Sequence, residues 1–274
     1  MLIIDGHVHI YDQFELNRFF ASAFANFAGA ARSLGARTYQ PVMFLADWPG
    51  KSWFETLRAQ NRIGAGAGVF SDRFFQIEST DEPISLIVRG RDSAPVTVIA
   101  AQKIITAENI EVMALFAAEP FATRQPLGDT VARIREKGAV AVLPWAVGKW
   151  LGKRGREIKT LLGGCGNDVF LADNANRPWF WPRPRHFARA RRMGADILAG
   201  SDPLDLASET DRAGRFGFAL HGELAPGCPA RGLKQTLLNA SGQITRYGSL
   251  ETGVRFVRNQ VAIRLLKKSR RENA

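Results

Sequence analysis

Short apolar runs alternate with amphipathic stretches through most of the chain. The runs Leu2–Asp5, Val42–Ala46, Ile84–Val88, Val96–Ile105, Val112–Phe116, Val140–Leu143, Val169–Ala172 and Asp196–Ala199 have the length and composition of strands. Several are unbroken Val, Ile, Leu and Ala, as in parallel strands covered on both faces. Helical periodicity falls between them, over Glu15–Ser33, Asp129–Lys137, Arg156–Leu162 and Arg185–Met193. Asp129 reads as an N-cap and Gly138 as a C-terminal stop. Strands alternating with helices predict an α/β fold, a (β/α) TIM-like barrel. The stretch from about Gly64 to Phe116 breaks the alternation with strand after strand, predicting a small β-rich insertion. A last helix is predicted over Ser249–Ser269, where Leu250, Val254, Val257, Val261 and Leu265 form one apolar stripe. A basic tail comes after it. Without repeats or a Pro/Gly-rich linker, residues 1–274 read as one domain.

Composition narrows the class. The chain is 46% hydrophobic and 23% charged, which excludes a disordered chain. No apolar run approaches the roughly 18 residues of a spanning helix. The N-terminus goes straight into a strand without a basic leader, so no signal peptide is expected. Cys165 and Cys228 stand alone, which predicts neither a disulfide framework nor a cysteine zinc site; a cytoplasmic protein is the expectation. The unusual quantity is charge: 37 Lys and Arg against 26 Asp and Glu, a net +11. Such an excess points toward phosphorylated substrates, nucleic acid or anionic lipid.

The strongest local motif is Asp5-Gly6-His7-Val8-His9 at the end of the first strand. Alternation puts Asp5, His7 and His9 on one face. Two imidazoles at a strand end are half of a metal site, which a carboxylate can orient. The second motif is Gly200-Ser201-Asp202-Pro203, closing the last alternating strand, where barrel enzymes place catalytic groups. Asp202 can ligate metal or act as general base toward a metal-activated water.

An HxH on the first strand with an Asp after the last resembles the metal-dependent hydrolases built on (β/α) barrels. These are the amidohydrolases and the PHP (polymerase and histidinol phosphatase) phosphoesterases. Val98–Thr106 with Glu111–Leu115, Ile134–Trp145, Asp168–Asn174 and Gly200–Asp202 are similar, in order, to PHP segments over most of residues 1–204. The PHP likeness implies a barrel of seven strands. The sequence departs from that pattern at several ligand positions. Lys103 and Leu171 stand where glutamates are expected, Glu111 and Leu204 where histidines are, and Pro144-Trp145 replaces a His-Pro. A full trinuclear PHP site is therefore not assembled, and Lys103 alone suggests the carboxylated lysine of some amidohydrolases.

The remaining donors are His7, His9 and Asp202 with Glu111 as metal ligands, and Asp202, Glu108 and Asp173 as catalytic carboxylates. They suit one divalent zinc, manganese or iron with a water position open. All six tryptophans fall at or near strand ends, and basic residues share those loops. Lys103, Trp145, Lys149, Lys153, Asn174, Arg177 and Trp179 are the expected substrate-binding residues for a small anion. The arginines of Arg183–Arg192 read as a solvated helix face, and His186 as a surface histidine.

The sequence thus predicts a metal-dependent hydrolase, a phosphoesterase acting on a small anionic substrate. Two alternatives stand beside it. One is an amidohydrolase-type enzyme cleaving a C–N or C–O bond. The other is an inactive barrel that binds anions or nucleic acid; against nucleic acid, no stretch interleaves aromatic and basic residues as a known module does.

Overall fold

β1 (Leu2–Val8) leads into α1 (Leu16–Ser33), β2 (Gln40–Asp47) and α2 (Trp53–Gly64). Four strands come next: β3 (Phe75–Ser79), β4 (Ser85–Gly90), β5 (Val96–Ile105) and β6 (Glu111–Leu115). Alternation then resumes with α3 (Leu127–Glu136), β7 (Val140–Pro144), α4 (Gly152–Gly164), β8 (Val169–Asn174), α5 (Arg185–Arg192) and β9 (Ile197–Gly200). β10 (Gly217–Leu220), α6 (Pro229–Asn239), β11 (Thr245–Tyr247) and α7 (Gly253–Glu272) complete the chain. This is a computed structural model, and it describes residues 1–64, 75–164, 169–240 and 242–272.

The strands form one sheet in the order β11-β10-β1-β2-β5-β6-β7-β8-β9, with β4 also on β5 and β3 on β4. β1, β2 and β5 are parallel, β6 is antiparallel to both β5 and β7, and β7, β8 and β9 are again parallel. The sheet curls into a nearly closed barrel, because β9 returns to β1. A Cβ on Gly200 would lie 2.4 Å from the His7 nitrogen, and one on Gly6 would lie 2.7 Å from the Ala199 carbonyl oxygen. Glycine at both positions lets the two backbones approach. Just beyond, the Asp202 N–H donates to the His7 carbonyl at 2.8 Å. The barrel wall is therefore β1, β2, β5, β6, β7, β8 and β9.

Strand alternation sorts the core into an interior and two outer layers. Leu2, Ile4, Val42, Phe44, Ile99, Met113, Val142 and Phe170 fill the interior. Ile3, Met43, Leu45 and Val98 face α1, α2 and the β3–β4 hairpin, while Val112, Ala141, Leu171 and Ile197 face α3, α4 and α5. α6 packs Leu233 and Leu237 into the interior cluster, and Lys234 reaches the Gly138 carbonyl before β7. That places α6 at the end opposite the carboxyl termini of the parallel strands.

The alternating strands and helices lie where the periodicity predicts them, and the extra strands fall in the 64–116 stretch. Gly138 takes φ +71 after α3, as a helix stop requires. Asp129 is not the cap: α3 starts at Leu127 with Pro126 at the cap position, and Asp129 sits in the first turn. There its charge still complements the helix dipole. The periodicity does not predict α2, yet its cap is well formed: the Asp47 carboxylate accepts from Ser52 Oγ and from the Trp53 and Phe54 N–H groups. Cys228 is a free thiol. Cys165 and Asp168 lie outside the described residues. No described helix is long and apolar enough to cross a membrane.

Candidate metal centre

An irregularity in β1 decides where the two histidines point. Asp5 pairs with Met43 but Val8 with Leu45, so three steps on β1 match two on β2. This extra residue is a bulge, which re-aims the side chains beyond it. Ile3 and Val8 both face the outer layer. His7 and His9 consequently turn into the barrel while Asp5 stays outside, against the shared face that plain alternation predicts. Asp5 instead accepts the N–H groups of Ser201 and Gly214, each at 2.8 Å, and of His7 at 3.3 Å. It ties β1 to the segments after β9. Burial pushes its carboxyl up to about 7, opposed by those donors.

His7 and His9 are fully buried, and their Nε2 atoms approach to 2.9 Å. His9 Nδ1 lies 2.6 Å from the Ala46 carbonyl oxygen, which only accepts. The His9 proton therefore sits on Nδ1, and Nε2 presents a lone pair. His7 Nδ1 is buried with no partner among the described residues. Burial lowers both imidazole pKa values; Lys103 lowers them further, while Asp202 and Glu111 oppose the shift at His7. Neutral imidazoles are what a divalent metal requires.

Two carboxylates face the pair. Glu111 Oε1 is 3.8 Å from His7 Nε2, and Asp202 Oδ1 is 3.7 Å from both Nε2 atoms. Glu111 enters from the first residue of β6, in phase with the interior residues Met113 and Leu115. Its second oxygen pairs with Lys103 Nζ at 2.9 Å and lies 3.8 Å from Lys149 Nζ. Burial pushes the Glu111 carboxyl up, but Lys103, His7 and Lys149 outweigh that and hold it below the usual range. His7, His9 and Glu111 offer three donor atoms within 4.8 Å of one another, compatible with a metal site.

Asp202 is held by its backbone as well as its side chain. Its φ is +44, a left-handed value that costs a non-glycine residue energy. The His7 carbonyl takes its N–H, Asn176 Nδ2 donates to its carbonyl at 2.6 Å, and Asn174 Nδ2 donates to Oδ2 at 3.0 Å. Asn174 Nδ2 also reaches the Trp145 carbonyl. Oδ1 is thereby left facing the imidazoles.

Above the histidines opens a cavity of about 560 Å³. Lys103, Asp202, Trp48, Trp53 and Lys51 line it, with Ile263 and Leu266 of α7 closing one side. Lys103 Nζ sits 4.1 Å from the Trp48 ring centre, and that ring packs 5.3 Å from His9.

Several expected site residues are elsewhere. Asp173 follows Val169 and Leu171 to the outer side of β8, where Arg177 grips it with bonds of 2.7 and 2.6 Å. Both are buried, so neither serves as a free base or a free anion receptor. Glu108 accepts the Leu127 N–H at 3.1 Å and so caps α3. Lys153 is exposed on α4, Trp145 is buried in the outer layer, and Trp179 is exposed on the surface. His186 is half-buried against Trp150. A carboxylated Lys103 would set a second anion against Glu111, which opposes that modification. The α7 wall is not foreseen from the sequence, because a stripe pattern does not show which body a helix packs upon.

The sequence matches no protein-family profile and no curated protein. Among solved structures, PsfC from Pseudomonas syringae PB-5123 superposes with TM-score 0.50 at 15% identity over 97% of both chains. A two-domain protein containing a predicted PHP-like metal-dependent phosphoesterase from Bacteroides vulgatus ATCC 8482 gives 0.48 at 11% identity. That match covers 90% of this chain and 64% of the other. Endonuclease Q, bound to a 27-mer duplex with an abasic lesion at its active site, gives 0.48 at 10% identity, over 90% of this chain and 58% of the other. At such identities the likeness is one of fold, and this chain shares its α/β barrel architecture with PsfC along nearly the whole length of both.

Proposed function

We propose that this chain is a metal-dependent hydrolase that cleaves a phosphoester of a small anionic substrate. The observation that carries the reading is the convergence of two buried, neutral imidazoles to 2.9 Å, faced by Glu111 and Asp202. His7, His9 and Glu111 form a three-ligand set that leaves a position open, the pattern of catalytic rather than structural sites. It suits zinc, manganese or iron. A metal held by these residues would polarise the phosphoryl oxygen and lower the pKa of a water toward about 7.

The chain's own residues do the rest. The Ala46 carbonyl fixes the tautomer of His9, and the bulge between Asp5 and Val8 fixes its direction. Asp202 Oδ1 accepts the proton of the attacking water, while Asn174 holds Oδ2. Glu111 lies between His7 and Lys103, one oxygen toward each. Lys103 supplies a positive charge on the cavity wall, held by Glu111, that would stabilise the charge of a phosphoryl group bound there. Lys149 adds to that field. Trp48 and Trp53 form the apolar wall beside it, and α7 excludes water from one side.

The test is turnover by metal-loaded protein of an aryl phosphate, set against an amide and a lactone panel. Phosphoester turnover that is lost in Asp202→Asn while bound metal is retained supports the reading. Turnover of amides or lactones instead, or of none of the panel, overturns it.

A further inference from the structure

The final helix carries apolar side chains on two opposite faces, and the barrel covers only one of them. Phe256, Ile263 and Leu266 turn toward the body, with Ile263 and Leu266 on the cavity wall. On the other face Val254, Val257, Val261 and Leu265 are 84%, 58%, 50% and 63% exposed. Their spacing of three and four residues makes a continuous ridge about 16 Å long at 1.5 Å per residue.

The orientation of α7 is firmly set. Buried Asn259 and the inward Arg255 both bond Glu209 Oε1, at 3.2 and 2.9 Å. Arg212 pairs with Glu209 and with Glu251 just before the helix. Rotating the ridge inward would strip Glu209, which is fully buried, of these partners. The polar side of the helix is thus committed to the protein and the apolar ridge to the outside.

The ridge does not end with the helix. Phe180 lies against Gly253, and its neighbour Trp179 is 69% exposed and donates its backbone N–H to the Glu251 carbonyl. Trp179 and Phe180 extend the apolar surface, and exposed Arg258 and Arg264 flank it. From Thr252 to Arg271 every charged residue is Lys or Arg. A second copy docked ridge to ridge would oppose these cations, with Glu272 at the last position of α7 the one acidic residue on the helix. An anionic surface would meet them while taking up the valines, the leucine and the aromatic pair.

We propose that the outer face of α7, with Trp179 and Phe180, docks the protein onto an anionic lipid surface. The helix lies in the interfacial plane, ridge down and basic side chains against the headgroups, beside the mouth of the metal cavity. The proposal does not depend on the chemistry at the histidines.

Flotation with vesicles of phosphatidylcholine containing about one-third phosphatidylglycerol, and with pure phosphatidylcholine vesicles, tests it. The full chain is expected to float with the anionic vesicles and about tenfold less with the neutral ones. Val257→Asp and Val261→Asp, both at exposed positions, should weaken binding about tenfold with unchanged circular dichroism and metal content. Failure to bind anionic vesicles overturns the proposal. So does a wild-type dimer, seen by sedimentation, that Val257→Asp dissociates, because the ridge then belongs to a second copy. Binding that Val257→Asp and Val261→Asp leave unchanged overturns it too, since charge elsewhere is then responsible.

Discussion

The backbone N–H of Asp202 donates to the carbonyl of His7 at 2.8 Å, joining the segment after the last barrel strand to the first strand. One bond both closes the barrel and sets the cavity carboxylate beside the imidazole pair. Closure and site assembly are therefore the same structural event. The glycines that permit it, Gly6 and Gly200, bear on function although neither has a side chain to offer.

Gly200→Ala disturbs that closure. The new methyl would lie 2.4–2.5 Å from the His7 nitrogen and Cβ, so β9 must move away from β1. The expected cost is about 1–3 kcal/mol of unfolding free energy, as for other overpacked sites. Metal affinity should fall with it. Urea denaturation and metal titration of the variant check both.

Asn174 links the Trp145 carbonyl to the Asp202 carboxylate. Asn174→Ala should lower kcat about 10- to 100-fold, the usual range for groups that orient a metal-site residue. Bound metal should stay at the wild-type level, because Asn174 touches none of His7, His9 or Glu111. Steady-state kinetics beside metal analysis of the same preparation separates orientation from ligation.

Lys103 and Glu111 form the pair that distinguishes a one-metal from a two-metal arrangement. Lys103→Met should leave metal content unchanged and reduce kcat/KM for an anionic substrate by about 100-fold, the loss of one preorganised cation. Lys103→Glu should raise the metal per chain above that of the wild type, since a carboxylate then replaces the ammonium beside Glu111. Metal stoichiometry measured over a range of free zinc or manganese reads this out.

The cluster that fixes α7 gives a stability prediction. Glu209 is fully buried and accepts from Arg255 and Asn259, with Arg212 at 3.3 Å. Glu209→Ala leaves the buried Arg212 guanidinium short of a partner and should cost about 3 kcal/mol. Chemical denaturation measures it, and protease sensitivity near residue 253 should rise as the helix detaches.

Much of this is legible in the sequence. β5 begins and ends with the Val96–Ile105 run read from the sequence, and the HxH, Glu111, Asp202 and Lys103 meet in space as chemistry suggests. Alternation carried forward also places Asp173 with Val169 and Leu171, outside the barrel. Other features leave weaker traces. β10 and β11 are four and three residues long, too short for a period to show. α6 has a proline in its first turn, a usable start signal. The bulge in β1 has only Gly6 to mark it, yet it decides which face carries His7. The stripe on α7 is visible, but the assumption that an apolar stripe faces the core fails there. The stripe is exposed instead, and the core below is served by Phe256, Ile263, Leu266 and the polar anchor of Arg255 and Asn259 on Glu209.

The proposed chemistry requires His7 and His9 to hold a divalent metal beside Asp202. Metal analysis of protein purified without chelator tests it most directly, with His7→Ala and His9→Ala prepared in parallel. About one zinc, manganese or iron per wild-type chain is expected, with loss of the ion from both variants while their folded circular dichroism is kept. A wild-type chain that stays metal-free after incubation with each of the three ions, or an ion that both variants retain, would contradict it.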